Sequence, residues 1–193
     1  MGERREDTLP KINQKVSIVL VEPEHDGNIG AVARSMKNFG ITDLRVVGRE
    51  GDWSEEARRR AKNAQDVLDG ARLVDSLRGA CSDCSLVIGT SGKREEGDKT
   101  SMRHFLLPDE LPRRLEEIDG RIAIVFGPEG KGLLNKQLRM CDLLVTIPSW
   151  EGYPILNLSH AVAIICFTWF INSNNGTPSG SGNRLLDPAL RDR

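Results

Sequence analysis

Short apolar runs, bounded by glycine, proline and polar residues, alternate along this chain with segments whose apolar positions recur at helical spacing. The runs lie at 16–21, 44–47, 86–89, 122–126 and 143–147, with a further short strand expected at 71–74. Their hydrophobicity is continuous rather than alternating, which predicts strands buried on both faces. Between the first two, Ile29, Val32, Ala33 and Met36 share one helix face until Gly40, placed where helices close. Asn28 stands ahead of them as the expected N-cap. Residues 55–68 predict a polar helix, 108–117 a short one with Pro108 in its first turn, and 158–170 a long apolar helix led by Asn157 as N-cap. Strands alternating with helices predict an α/β fold: a mostly parallel sheet flanked by helices, with right-handed crossovers. The run at 122–126 is expected at its centre.

The connections carry the informative chemistry. After the central strand comes Gly127-Pro128-Glu129-Gly130-Lys131-Gly132-Leu133, which fits neither the P-loop nor the dinucleotide glycine spacing. Its glycines would still let a ligand approach the backbone, and Glu129 among them is not explained by turn chemistry alone. The strand at 143–147 stops at Pro148, which cannot donate to a sheet ladder. The loop Ser149-Trp150-Glu151-Gly152-Tyr153-Pro154 then leads to Ile155-Leu156-Asn157. In mid-chain, Thr90-Ser91-Gly92 closes a strand at its carboxyl end, where α/β folds place ligands. Residues 93–105 read as a loop of functional length, and 172–183 have the composition of a flexible linker.

Taken together these residues resemble the SpoU-type SPOUT RNA 2′-O-methyltransferases. The strand at 122–126 with its glycine turn, Ile147-Pro148, and Leu156-Asn157 before the apolar helix are similar to the family's second and third motifs. Asn28-Ile29-Gly30-Ala31-Val32-Ala33-Arg34 followed by Phe39-Gly40 is similar to the first. The motifs keep the family's order and span the chain from Val16 to about Phe170. Tyr153 and Gly89-Thr90-Ser91-Gly92 look most like the branch that methylates the ribose of nucleotide 32 in the tRNA anticodon loop.

The resemblance implies a SPOUT fold with a C-terminal trefoil knot over residues 15–172, between a flexible segment at 1–14 and a flexible tail at 173–193. It implies S-adenosyl-L-methionine held by the backbone of Thr90, Ser91, Gly92, Gly127, Ile147, Pro154, Ile155 and Leu156, with no metal. It places Arg34 at the ribose hydroxyl, with Asn28, Glu129 and Asn157 organising the site, and it implies a homodimer acting on tRNA. Because a guanidinium stays protonated, Arg34 is expected to act by positioning and electrostatics rather than by taking a proton. Glu129 would hold either Arg34 or Asn28. Ile155 occupies a position where relatives commonly carry serine, leaving Ser149 or Ser159 as possible substitutes. Two other readings stay open: the same chemistry on another tRNA position or on rRNA, and a noncatalytic RNA-binding protein of this fold.

Composition qualifies this picture. A chain of 193 residues, 38% apolar, fits one α/β domain. The charged amino end and the lack of a long uncharged apolar stretch predict neither secretion nor a membrane span, hence a cytoplasmic protein. Four scattered cysteines predict free thiols, and Cys81-x-x-Cys84 has no second pair to complete a zinc site. A net charge of −1 does not announce an RNA binder, so affinity must come from local patches such as 58–62 or Lys93, Arg94, Lys99 and Arg103. For the first of these, a solvated helix face is the plainer explanation.

Overall fold

The computed structural model describes residues 15–92, 105–115 and 117–173. The expected segments at 1–14 and beyond 173, and the basic residues at 93–103, lie outside them. In chain order the elements are β1 (Val16–Val21), α1 (Asp26–Asn38), β2 (Asp43–Val47), α2 (Glu55–Ala61), α3 (Gln65–Asp69), β3 (Arg72–Val74), α4 (Leu77–Ala80), β4 (Cys84–Thr90) and β5 (Phe105–Leu106). After a 3-10 turn at Pro108–Glu110 come α5 (Leu111–Leu115), β6 (Arg121–Phe126), α6 (Asn135–Leu138), β7 (Leu143–Val145) and α7 (Leu158–Asn172).

Among the described residues these strands form one seven-stranded sheet in the order β3-β2-β1-β6-β4-β7-β5, and every pairing is parallel. The run at 122–126 becomes β6, the middle strand, as its continuous hydrophobicity predicted. All of β1 and the last five residues of β6 are buried. Side chains alternate across the pleat, so the two faces build separate cores. Val16, Ile18, Leu20, Ile122, Ile124 and Phe126 pack under α1, α2, α3, α5 and α7. Val19, Val21, Ala123 and Val125 pack under α4 and α6.

Three expectations need correction. The helix expected at 55–68 is two helices, broken at Lys62, whose φ of 53° departs from helical geometry. The break lets Ala57 and Ala61 of α2 and Val67 and Leu68 of α3 all reach the core. Asn28 is not an N-cap: α1 starts earlier, after His25, and Asn28 lies inside its first turn with its side chain turned elsewhere. The elements β5, α4 and α6 were not anticipated, being too short for periodicity to mark. The N-cap at α7 is as expected, with Asn157 Oδ1 accepting from Ser159 N at 2.9 Å.

Gly30 has a packing role. A Cβ there would lie 2.0 Å from the Ala57 carbonyl oxygen, so α1 and α2 cross in backbone contact only because position 30 carries no side chain. Gly40 closes α1 at a φ of 70°. An ion cluster around one buried arginine ties the amino ends of the central strands: Arg45, 1% exposed, donates to Asp43 at 2.8 Å and to Asp83 at 3.0 Å. Arg121 donates to the same Asp43 at 2.8 Å. The four cysteines are free, and burial pushes the Cys81 thiol up to about 12, as expected of a structural rather than reactive residue. No helix among the described residues is long and apolar enough to cross a membrane.

Candidate active site

Parallel strands place their carboxyl ends on one edge, and there the ends of β6, β4 and β7 open into a cavity of about 500 Å³. A cavity of this size suits a cofactor-sized organic ligand. Three segments wall it: Thr90-Ser91-Gly92 after β4, the glycine turn from Gly127 to Leu133 after β6, and Ile147 with Pro154-Ile155-Leu156 after β7. All eight positions that the resemblance assigned to cofactor contact therefore face one cavity. Phe105, Phe126 and Leu144 give it apolar surface; Lys131 and Arg139 add charge at its edge. The last two were not singled out in the sequence.

The small residues are small for different reasons. Gly127 carries no side chain because its own loop folds back on it: a Cβ would meet the Gly132 carbonyl carbon at 2.2 Å and Leu133 N at 2.3 Å. Close approach of a ligand is not needed to explain it. Gly130 and Gly132 have φ of 79° and 66° with open space around them, so backbone conformation selects glycine there. At Gly92 a Cβ would press on Ile155 Cδ1 at 3.2 Å, inside the cavity wall. Thr90 is held to the sheet, its hydroxyl donating to Val125 O at 3.0 Å.

Beside the cavity a polar chain joins three segments far apart in sequence. Parallel pairing sets Leu20 opposite Phe126, so the loops after β1 and β6 emerge as neighbours. Glu129 accepts from Asn28 Nδ2 at 2.6 Å and from Glu24 N at 2.8 Å. Asn28 Oδ1 accepts from Asn157 Nδ2 at 3.2 Å. Burial raises the Glu129 carboxyl, but the bonds from Asn28 and the Glu24 amide outweigh it and hold the pKa below its ordinary value. Glu129 thus holds Asn28, not Arg34.

Arg34 is placed apart. It is exposed, without an ion pair or hydrogen bond among the described residues, and it lines a second, shallower concavity. The first turn of α7 divides the two: Leu158 and Ala161 face the cavity, Ser159 and His160 the concavity. The structure therefore brings Asn28, Glu129 and Asn157 together and leaves Arg34 beyond them, exposed in the second concavity. Neither candidate serine is a free hydroxyl: Ser149 donates to Pro154 O at 3.0 Å and Ser159 to Asn157 Oδ1 at 2.7 Å.

Residues 15–167 match the SpoU rRNA Methylase family. The chain is 45% identical over 177 residues to a protein of Methanocaldococcus jannaschii named tRNA (cytidine-2′-O-)-methyltransferase TrmJ, covering 92% of this chain and 74% of that one. It is 41% identical to the tRNA (cytidine/uridine/adenosine-2′-O-)-methyltransferase TrmJ of Pseudomonas aeruginosa, covering 79% of this chain and 59% of that relative. The crystal structure of TrmJ from Z. mobilis superposes with a TM-score of 0.74 at 30% identity, over 86% of this chain and 72% of that one.

Proposed function

The chain belongs to the SpoU methylase family, and on that premise we propose that it transfers a methyl group from S-adenosyl-L-methionine to a ribose 2′-hydroxyl of tRNA, at nucleotide 32 of the anticodon loop. The observation that carries this reading is the junction of two unlike sites across one helical turn. A cavity of about 500 Å³ lies on one side and an exposed arginine, without a partner among the described residues, on the other, with the Glu129–Asn28–Asn157 chain beside them. The related proteins named as tRNA 2′-O-methyltransferases supply the substrate class.

The residues present fit this cofactor. The cavity joins apolar walls to three loops that expose backbone polar groups, a lining suited to an adenosine and an amino-acid tail. When bound, the sulfonium supplies an activated methyl group. Glu129 and Asn28 fix the loops after β6 and β1 relative to each other, and Asn157 fixes the start of α7 to both. Arg34 positions an RNA phosphate with its guanidinium and stabilises charge developing on the ribose oxygen. An exposed guanidinium costs nothing to free from a protein partner, since it has none among the described residues.

The test pairs calorimetry with S-adenosylmethionine and methyl transfer to two versions of one tRNA, natural or 2′-deoxy at the acceptor nucleotide. Cofactor binding with transfer to the ribose form alone is expected, because the hydroxyl is the acceptor itself. Equal labelling of the deoxy form would remove ribose as the target.

A homodimer, with the trefoil knot of the family, belongs to the same reading. Phe167 and Ile171 of α7 are 48% and 41% exposed, and Phe39 at the end of α1 contacts Phe167 and Phe170 with ring centroids 5.8 Å and 6.0 Å apart. That apolar surface, shared by α1 and α7, is of the kind obligate dimers bury. Light scattering should return twice the 21.4 kDa chain mass; a monomer with full activity would refute the dimer.

A further inference from the structure

The concavity around Arg34 holds more cation than one hydroxyl requires. Its walls include Arg59, Arg60 and Lys62 from α2 and its end, and Ser159 and His160 from α7, with no carboxylate among the lining residues. The basic run at 58–62 is thereby divided. Arg58 turns away to Asp69 at 3.0 Å and Gln65 at 3.2 Å. Arg60 pairs with Glu56 at 2.8 Å, an exposed pair one helical turn apart and worth a few tenths of a kcal/mol. Arg59 and Lys62, like Arg34, have no ion pair or hydrogen bond of their side chains among the described residues. Three cations without a partner among the described residues face one hollow in a chain whose net charge is −1.

The placement is also rigid. Backbone contact between Gly30 and Ala57 fixes α2 on α1, and Ala57 and Ala61 are wholly buried. Ser54 caps α2, accepting from Ala57 N at 3.3 Å. Lys62 ends the helix at a positive φ of 53°, uncommon for a residue with a side chain. A merely solvated helix face needs neither the contact nor the concavity.

We infer that α2 is a substrate-positioning arm, in which Arg59 and Lys62 grip RNA phosphodiesters next to the one that meets Arg34. The inference rests on the RNA-methylating reading and names the residues that hold its substrate. Arginine spans two phosphate oxygens with its planar fork, while lysine offers a mobile point charge. Ser35, Asn38 and His160, on the same walls, add donors for the sugar-phosphate backbone. The contacts carry no base information, so they position the strand and leave the choice of nucleotide to other surfaces.

The test is the full chain carrying Arg59→Gln and Lys62→Gln, with Arg58→Gln as the charge-matched control that faces away. A tRNA transcript is titrated at several salt concentrations, and S-adenosylmethionine is titrated separately to verify the fold. The double variant should bind tRNA about tenfold or more weakly, with a salt slope of log K smaller by about 1.5, since each lost phosphate contact removes about 0.7–0.9. KM for tRNA should rise in step, cofactor affinity should hold, and Arg58→Gln should bind as wild type. Unchanged tRNA affinity and slope in the double variant, or an equal loss in Arg58→Gln, would overturn the arm while leaving methylation by the wild type standing. Wild-type tRNA binding that depends on Arg59 and Lys62 without methyl transfer to any RNA would keep the arm and remove the reaction. A wild type that binds no tRNA removes both.

Discussion

Arg34→Ala is expected to slow methyl transfer on cofactor-saturated enzyme by on the order of a hundredfold or more, roughly 3 kcal/mol, while S-adenosylmethionine binds as before. The separation follows from position. Arg34 projects from α1 into the concavity, and the cavity walls come from the loops after β4, β6 and β7. With no protein partner among the described residues to strand, its removal costs the fold little. What disappears is a charge-assisted contact made most strongly as the oxygen becomes negative. Arg34→Lys should rescue little, because a point charge cannot span phosphate and hydroxyl as a fork does. Calorimetry beside single-turnover methylation on one preparation reads both quantities. Collapsed cofactor affinity with a normal chemical step would assign Arg34 to the cavity or to folding instead.

Arg45→Met should lower stability by about 2 kcal/mol, since the lost guanidinium is buried while its partners Asp43 and Asp83, 20% and 46% exposed, are partly screened by solvent. For a chain of this size that is roughly 4–8 °C in Tm. Asp43 also keeps Arg72 and Arg121 as neighbours, which places the loss below what fully buried pairs show. Burial raises the Asp43 carboxyl, but bonds from Arg45 and Ser17 outweigh it; bonding to Arg45 is the main effect at Asp83. Both pKa values therefore lie below their unfolded values. The stability they contribute is fully present above the unfolded carboxylate value of about 3.9 and is lost as pH falls through the lowered folded values. Denaturant melts of wild type should thus weaken below about pH 4, and Arg45→Met should show a flatter acid limb. Equal stability of the two proteins at pH 7 would show that the cluster contributes nothing net.

The sheet was legible because buried parallel strands leave continuous apolar runs, and β1 and β6 are buried almost end to end. The cavity was legible through its loops, whose residues cluster at three places in the chain. Local spacing misled at Asn28. Its position before an apolar periodic stretch suits a cap, but the partner that claims its side chain, Glu129, lies 101 residues away. The break at Lys62 had no glycine or proline to announce it. Beyond it α3 buries Val67 and Leu68 in the core that Ala57 and Ala61 of α2 also reach. At Gly127 the glycine pattern suggests room for a ligand, whereas Gly132 and Leu133 of its own turn fill that room. The division of the basic run into Arg58, turned to α3, and Arg59 and Lys62, turned to Arg34, depends on how α2 crosses α1. That crossing is a tertiary fact with no local signature.

The most direct measurement is mass spectrometry of nuclease-digested tRNA and rRNA transcripts after incubation with this protein and isotopically labelled S-adenosylmethionine. The expected result is a labelled 2′-O-methylnucleoside in the anticodon loop of tRNA, at nucleotide 32, and none in rRNA. Label on a base, or no label in either RNA while the cofactor binds, would contradict ribose methylation of tRNA as the function of this fold.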